Sequence, residues 1–286
     1  MSSRPTAPPS VSADGGGDHP RPPRGQHRRR ARNRRYRRNR QTRSLLHIVV
    51  WNAEGIRSKI PELQGWLRTA PADVIAIQEA QFPAKTATRI PGFQPPVITR
   101  RARGRREGAA VTKGGDVAIY LRAGLHFTPL TDRPLDAADD SSEVCGVRIL
   151  GERPLTVWNL YRPPIRSAED DDRRDRFSPD ALPHDDQTIV VGDLNGHHPL
   201  WDSNCETADP VGQRFGDWLD RVGWTTLNSG APTFMSYRTG SRTAPDVVAC
   251  SSRLARSAQW RLGPDLGSDH LPMLVELGSS DRSPPE

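Results

Sequence analysis

The chain has 286 residues, enough for one large α/β domain, though length alone also allows two small ones. Its hydrophobic fraction of 34% is low for a wholly globular chain, and 27 prolines with 24 glycines point the same way, so part of the chain is expected not to fold. Residues 1–43 hold thirteen arginines, no lysine and two acids, Asp14 and Asp18, a formal charge of +11; because the whole chain is +7, residues 44–286 carry −4. The basic balance therefore sits in a tail, and the body is mildly acidic. Cys145, Cys205 and Cys250 are odd in number and without metal-ligand spacing, which excludes a disulfide framework and reads as reduced thiols. No apolar run is long enough for a membrane span, and the N-terminus lacks a secretory core. The expected protein is soluble, not secreted, without membrane partner, and nuclear or cytoplasmic.

In chain order, residues 1–20 are rich in Pro, Ser and Gly and are expected to be disordered. Residues 21–43 form an arginine block whose self-repulsion disfavours compaction; a localisation signal or a nonspecific nucleic-acid arm is the functional reading, and a solubilising tail the plain one. Order is expected from about Leu45, in a domain spanning 44–279, with a disordered tail over 280–286. LLHIVVWN (45–52) reads as a buried strand ending in polar residues, and Ser58 as the cap of a short helix with Ile60, Leu63, Trp66 and Leu67 on one face. DVIAIQEA (73–80), GGDVAIYLR (114–122), EVCGVRIL (143–150), PLTVWNLYR (154–162) and TIVVGDLN (188–195) read as further strands separated by turn signals. VGQRFGDWLDRVGW (211–224) places Phe215, Trp218, Leu219 and Val222 on one helical face, and PDVVACS (245–251) with GSDHLPMLVELG (267–278) closes the domain. Many short strands with few helices favour packed sheets flanked by helices over a doubly wound parallel sheet.

Several strand ends deliver polar groups: Asn52, Glu79, Asp193 with Asn195, and Asp269 with His270. Loops at strand ends are where rigid scaffolds place reacting groups. Taken singly each has a plain explanation, since Asp-x-Asn is often an Asx-turn and a lone Asp-His a structural pair. Together they supply hard oxygen ligands, a carboxylate base and an imidazole, the parts needed to hydrolyse a phosphodiester with Mg²⁺.

The motifs WNAEGI (51–56), AIQEA (76–80), NLYRPP (159–164), GDLNGHHPLW (192–201), APDVV (244–248) and GSDHLP (267–272) resemble, in order and spacing, those of the endonuclease/exonuclease/phosphatase superfamily. GDLNGHHPLW followed by NSGAPTF (228–234) looks most like the apurinic-like endonuclease domains of non-LTR retrotransposons. The resemblance covers about residues 46–278. It implies a deoxyribonuclease I-like, four-layer α/β sandwich: two mixed β-sheets face to face, helices outside, and the active site at one edge. It further implies that Glu79, Asn52 and Asp269 hold Mg²⁺ or Mn²⁺. In the same way it makes Asp193 the water-activating carboxylate and Asn195 its orienting partner. His270 would contact the scissile phosphate, with Asp246 fixing its imidazole, and Tyr161 would stabilise charge on phosphate or leaving oxygen. The implied activity is a DNA nick leaving 3′-hydroxyl and 5′-phosphate. Every mechanistic residue is present, which counts against a decayed copy. His197 and His198 are read as loop supports or substrate contacts.

Two departures stand out. Residues 166–187 hold few apolar residues at helical spacing and are expected to form a frayed helix or loop. Arg100, Arg101, Arg103, Arg105 and Arg106 form a second basic cluster, read with His198 as DNA-contacting or as a merely exposed loop. The chain ends at Glu286 without a reverse transcriptase, as a fragment or a free-standing nuclease would, and no obligate protein partner is expected. The rival readings are a phosphatase or sphingomyelinase of the same superfamily, and a nucleic-acid-binding protein with an inactive nuclease domain.

Overall fold

The computed structural model describes residues 46–83, 85–100, 115–135, 142–164 and 176–278. The expected tails, 1–43 and 280–286, lie outside them, as do Arg101, Arg103, Arg105 and Arg106. The described elements begin with β1 (Leu46–Asn52), one 3₁₀ turn (Arg57–Lys59), α1 (Ile60–Leu67) and β2 (Val74–Gln78). Strands β3 (Val97–Thr99), β4 (Val117–Leu121), β5 (Phe127–Leu130), β6 (Glu143–Ile149), β7 (Leu155–Tyr161) and β8 (Thr188–Asp193) follow. Then come α2 (Pro210–Val222), β9 (Trp224–Thr226), β10 (Phe234–Met235), β11 (Arg242–Thr243), β12 (Asp246–Ser251), α3 (Ser252–Ala255), β13 (Ala258–Leu262) and β14 (Met273–Leu277).

One six-stranded sheet runs β13-β14-β1-β2-β4-β3 and a second runs β5-β6-β7-β8-β12-β9, with β10–β11 a separate ribbon. Each six-stranded sheet is mixed: β1 pairs parallel with β2 and β7 parallel with β8, and the other pairs are antiparallel. The pleat sends successive side chains to opposite faces. In the first sheet Ile48, Val50, Val74, Ala76, Val117 and Ile119 meet Cys145, Val147, Val157, Ile189, Val191 and Val248 of the second in one inter-sheet core. The opposite parity, Val49, Trp51, Ile75, Ile77 and Tyr120, packs outward with Leu63 of α1. Trp158, Leu160, Val190 and Val247 pack outward against Phe215, Trp218 and Leu219 of α2. Helix, sheet, sheet and helix make the four layers expected, and both faces of each sheet are covered. That is why these strands read as continuous apolar runs rather than alternating ones.

Helix α2 begins where Asp209 accepts from the Gly212 amide and Pro210 occupies the first turn, and it stops at Gly223 with φ +68°. The expected cap of α1 is corrected: Lys59, not Ser58, precedes the helix, no side chain caps it, and the 3₁₀ turn fills the space instead. In the closing segment 267–278 only Met273–Leu277 forms a strand, and the loop before it makes a single bridge, His270 with Phe234. Between Arg176 and Gln187 there is a loop rather than a helix, anchored by buried Phe177 and Leu182; residues 165–175 are outside the description. No described helix is long and apolar enough to cross a membrane.

Phe215 is fully buried, its ring 5.8 Å from Trp201 and 5.3 Å from Trp218. Phe215→Ala should cost about 3–5 kcal/mol in urea unfolding through lost burial and a residual cavity, whereas exposed Asp220→Ala on the same helix should cost within about 0.5 kcal/mol. Equal costs would mean that α2 does not close the outer layer.

Candidate active site

The site forms where strands of both sheets end on the same side of the sandwich. On β1 and β2 the inner parity that carries Ile48, Val50, Val74 and Ala76 continues to Asn52 and Gln78. On β7, β8 and β12 it carries Asn159, Tyr161, Asp193 and Asp246 alongside Val157, Val191 and Val248. Strand register then sets neighbours: Asp193 lies across from Tyr161 on one side and from Asp246 on the other. Gly192 makes this approach possible. Its φ is +143°, and a Cβ there would stand 1.9 Å from the Leu160 carbonyl oxygen.

Asn52 joins the two sheets. Its Nδ2 donates to Asp193 Oδ2 at 2.8 Å and to Glu79 Oε1 at 3.2 Å, while its Oδ1 accepts from the Glu54 amide. Tyr161 donates its hydroxyl to the same Glu79 oxygen at 2.7 Å. Asp193 is fully buried and also accepts from the Asn195 amide at 2.9 Å and from Asn195 Nδ2 at 3.2 Å. Asn195 Nδ2 further donates to the Arg162 carbonyl. Glu79 and Asn195 have φ of +46° and +45°, a left-handed backbone that side-chain-bearing residues adopt at a cost.

His270 Nδ1 lies 2.8 Å from Asp246 Oδ2, a dyad buried in the sandwich end. Nε2 faces Asp193 Oδ2 at 3.9 Å and Asp269 Oδ1 at 4.0 Å. Burial works against the imidazolium, but the Asp246 carboxylate and its hydrogen bond, with Asp193 and Asp269, outweigh it and push His270 up to about 10. Burial pushes the Asp193 carboxyl up to about 7, with Asp246 adding to the rise and His270 opposing it. The coupled arrangement is thus a cationic His270 beside a carboxyl able to exchange a proton near neutrality.

Some partners of the site were not singled out in the sequence. Thr233 donates its hydroxyl to Asp246 Oδ2, Trp51 Nε1 donates to the His270 carbonyl, and Ser268 Oγ donates to the Asn52 carbonyl. Lys59 donates to the Ala53 and Glu54 carbonyls; burial lowers its ammonium pKa against the opposing charges of Glu54, Asp269, Glu79 and Asp265. Trp51 lies inside WNAEGI, Ser268 inside GSDHLP and Thr233 inside NSGAPTF, so membership of the motifs is the available signal.

Other expected residues stand apart from the cluster. Arg100 lies over the Phe82 ring at 5.7 Å, donates to the Pro83 carbonyl and is 3.9 Å from Asp116. His198 stacks on Trp201 at 5.0 Å, accepts from the Leu200 amide and packs against Gly216 of α2. His197 pairs with buried Asp202 at 3.2 Å.

One grouping of the described side chains could hold a cation. Among the described residues Asp193, Asp246 and His270 place ligand atoms within 4.8 Å of one another. Asp246 Oδ2 in that trio is already engaged by His270 and Thr233. Outside the trio, Glu79 Oε1 accepts from Asn52 and Tyr161, and the partly exposed Asp269 carboxylate lies 4.0 Å from His270 Nε2. These hard anionic oxygens fit Mg²⁺ or Mn²⁺, while Asn52 presents its amide N–H₂ to the carboxylates.

Residues 155–274 match a family model described as endonuclease-reverse transcriptase. The probable RNA-directed DNA polymerase from transposon X-element of Drosophila melanogaster is 27% identical over 248 residues, 84% of this chain and 25% of that protein. The RNA-directed DNA polymerase from mobile element jockey of Drosophila melanogaster is 26% identical over 248 residues, 86% of this chain and 25% of that protein. The chain spans about a quarter of the length of these relatives. The endonuclease domain of TRAS1, a telomere-specific non-LTR retrotransposon, superposes with a TM-score of 0.57 at 19% identity, covering 82% of this chain and 98% of that one. The chain thus shares the fold of this endonuclease domain, and its match to the endonuclease-reverse transcriptase model is confined to residues 155–274. The same fold recurs in the Xenopus laevis APE2 catalytic domain, with a TM-score of 0.58 at 18% identity over 82% of this chain and 92% of that one. An AP endonuclease from Archaeoglobus fulgidus shares it too, with a TM-score of 0.56 at 18% identity over 80% of this chain and 98% of that one.

The dyad makes a test that needs no substrate. The His270 Nδ1 proton should give a slowly exchanging imidazole NMR signal, lost in Asp246→Ala and shifted but retained in Thr233→Val. A parent protein without that signal would contradict the dyad.

Proposed function

We propose that the chain is a Mg²⁺-dependent DNA endonuclease of the retrotransposon type, nicking one strand to leave 3′-hydroxyl and 5′-phosphate. The observation that carries this reading is the buried convergence on Asp193 of Asn52, Asn195 and the His270–Asp246 dyad. In this reading Asp193 takes a proton from the attacking water, and Asn195 fixes the carboxylate against the Arg162 carbonyl. The water oxygen bonds to phosphorus as the bond to the 3′ oxygen breaks. His270, held as imidazolium by Asp246, neutralises a phosphate oxygen through Nε2. Tyr161, oriented by Glu79, donates to the leaving oxygen or its phosphate. Glu79 and Asp269 would hold Mg²⁺ or Mn²⁺, with Asn52 spanning Glu79 and Asp193; the bound ion supplies charge neutralisation at the phosphate.

The choice of DNA rests on the arginine-rich residues 21–43, which attract polyanions, and on retrotransposon relatives among the proteins matched. Arg100–Arg106 supply further cations, although Arg100 itself is engaged within the protein. A nuclear location follows from the same reading. A phosphomonoesterase is the competing activity, favoured by a structural neighbour from Neisseria described as a 3′ phosphatase bound to product DNA hairpin, with a TM-score of 0.55.

Asp193→Ala and His270→Ala should each reduce Mg²⁺-dependent nicking of supercoiled plasmid by at least about a thousandfold at temperatures where circular dichroism shows the variant folded. Nicking at the parent rate by either would sink the assignment, and release of phosphate from 3′-phosphorylated oligonucleotides without nicking would favour the phosphatase. Glu79→Gln removes a charged oxygen and should raise the Mg²⁺ concentration at half-maximal rate about tenfold. An unaltered metal dependence would remove Glu79 from the ion.

A further inference from the structure

The site is divided between two sheets that share no backbone ladder, so something must fix one half against the other. Asn159 lies in β7 on the inner face and is completely buried. Its Nδ2 crosses the gap and donates to the carbonyls of Ile77 at 2.9 Å and Ala118 at 3.0 Å, both in the opposite sheet. Its Oδ1 accepts from Gln78 Nε2 at 2.5 Å, so both ends of the amide are engaged by the first sheet. Ile77 and Ala118 are the last register pair between β2 and β4, and beyond them β2 turns away into Glu79. Two residues farther along β7, Tyr161 reaches the Glu79 carboxylate.

We infer that Asn159 is a positioning residue: by clamping the end of β2 to β7 it sets where Glu79 stands relative to Tyr161 and Asp193. An apolar side chain would fill the space, but it would leave the Ile77 and Ala118 carbonyls without this amide and free the last residues of β2. A buried amide in an otherwise apolar inter-sheet layer is costly unless every bond is made, and here the bonds converge on the peptide segment that leads to Glu79. The inference rests on the proposed metal reading only for its second readout.

The experiment compares Asn159→Leu with Val157→Ala, a truncation two residues away on the same face of β7. Amide hydrogen exchange is read in metal-free protein. Asn159→Leu should speed exchange of the Ala53 and Ala80 amides, which donate to Gln78 and Asp116 carbonyls, at least tenfold relative to Val74–Ala76. Val157→Ala should not produce that local contrast. Mn²⁺ binding by calorimetry should weaken about tenfold in Asn159→Leu and stay within threefold in Val157→Ala. Unchanged local exchange, or a rise equal to that in Val157→Ala, would overturn the positioning role. Absence of Mn²⁺ binding by the parent would overturn the metal reading instead, leaving exchange to decide on Asn159. Should the leucine variant fail to fold, Asn159→Thr, compatible with a strand, carries the same exchange prediction.

Discussion

The contact between the inner faces of two β-sheets governs everything else in this molecule. Ile48, Val50, Val74 and Ala76 on one side and Val157, Ile189, Val191 and Val248 on the other form a single buried layer. The same alternation that puts those side chains inside puts Asn52, Tyr161, Asp193 and Asp246 inside at the strand ends. Chemistry and core therefore share one parity. A one-residue slip in any of these strands would turn its site residue outward and its apolar neighbours with it, so register is fixed by the same burial that stabilises the fold.

Polar groups placed at the end of so apolar a layer feel its low dielectric. Asp193 is raised toward neutrality by burial, while His270 keeps its proton because Asp246, Asp193 and Asp269 surround it. The same two residues would titrate in the ordinary range on an open surface. The outer layers contribute by shielding: α2, with Phe215 and Trp218, closes one face, and α1, with Leu63, closes the other. Loops on this rigid base can then hold Glu79 and Asn195 in backbone geometry that isolated peptides avoid.

Much of this was legible in the sequence. Apolar runs ending in carboxylates and amides located β1, β2 and β8 within a residue or two, turn-bounded apolar runs located β4, β6 and β7, and motif order identified the fold class. What escaped reading has a physical cause in each case. Ala258–Leu262 alternates between half-buried and exposed residues and carries Gln259 and Arg261 outward, so its apolar signal is weak. Phe234–Met235 and Arg242–Thr243 pair over only two residues each, too short for periodicity. Ser58 had the chemistry of a cap, but a 3₁₀ turn and Pro61 started the helix without one. Thr233, Ser268 and Trp51 act through hydrogen bonds to residues 13 to 219 positions away, which no local pattern encodes. The partners of His198 and Arg100 were equally invisible: one lies against Trp201, the other over Phe82.

The left-handed backbone at Glu79 has a consequence for how this protein would respond to selection. Glycine there would release roughly 1 kcal/mol of conformational strain but would also remove the carboxylate that accepts from buried Asn52 and Tyr161. Gly192, with a carbonyl oxygen where a Cβ would go, has no such freedom in either direction. A library sorted only for heat resistance would thus be pulled two ways at position 79, by backbone relief and by lost hydrogen bonds, while position 192 stayed fixed.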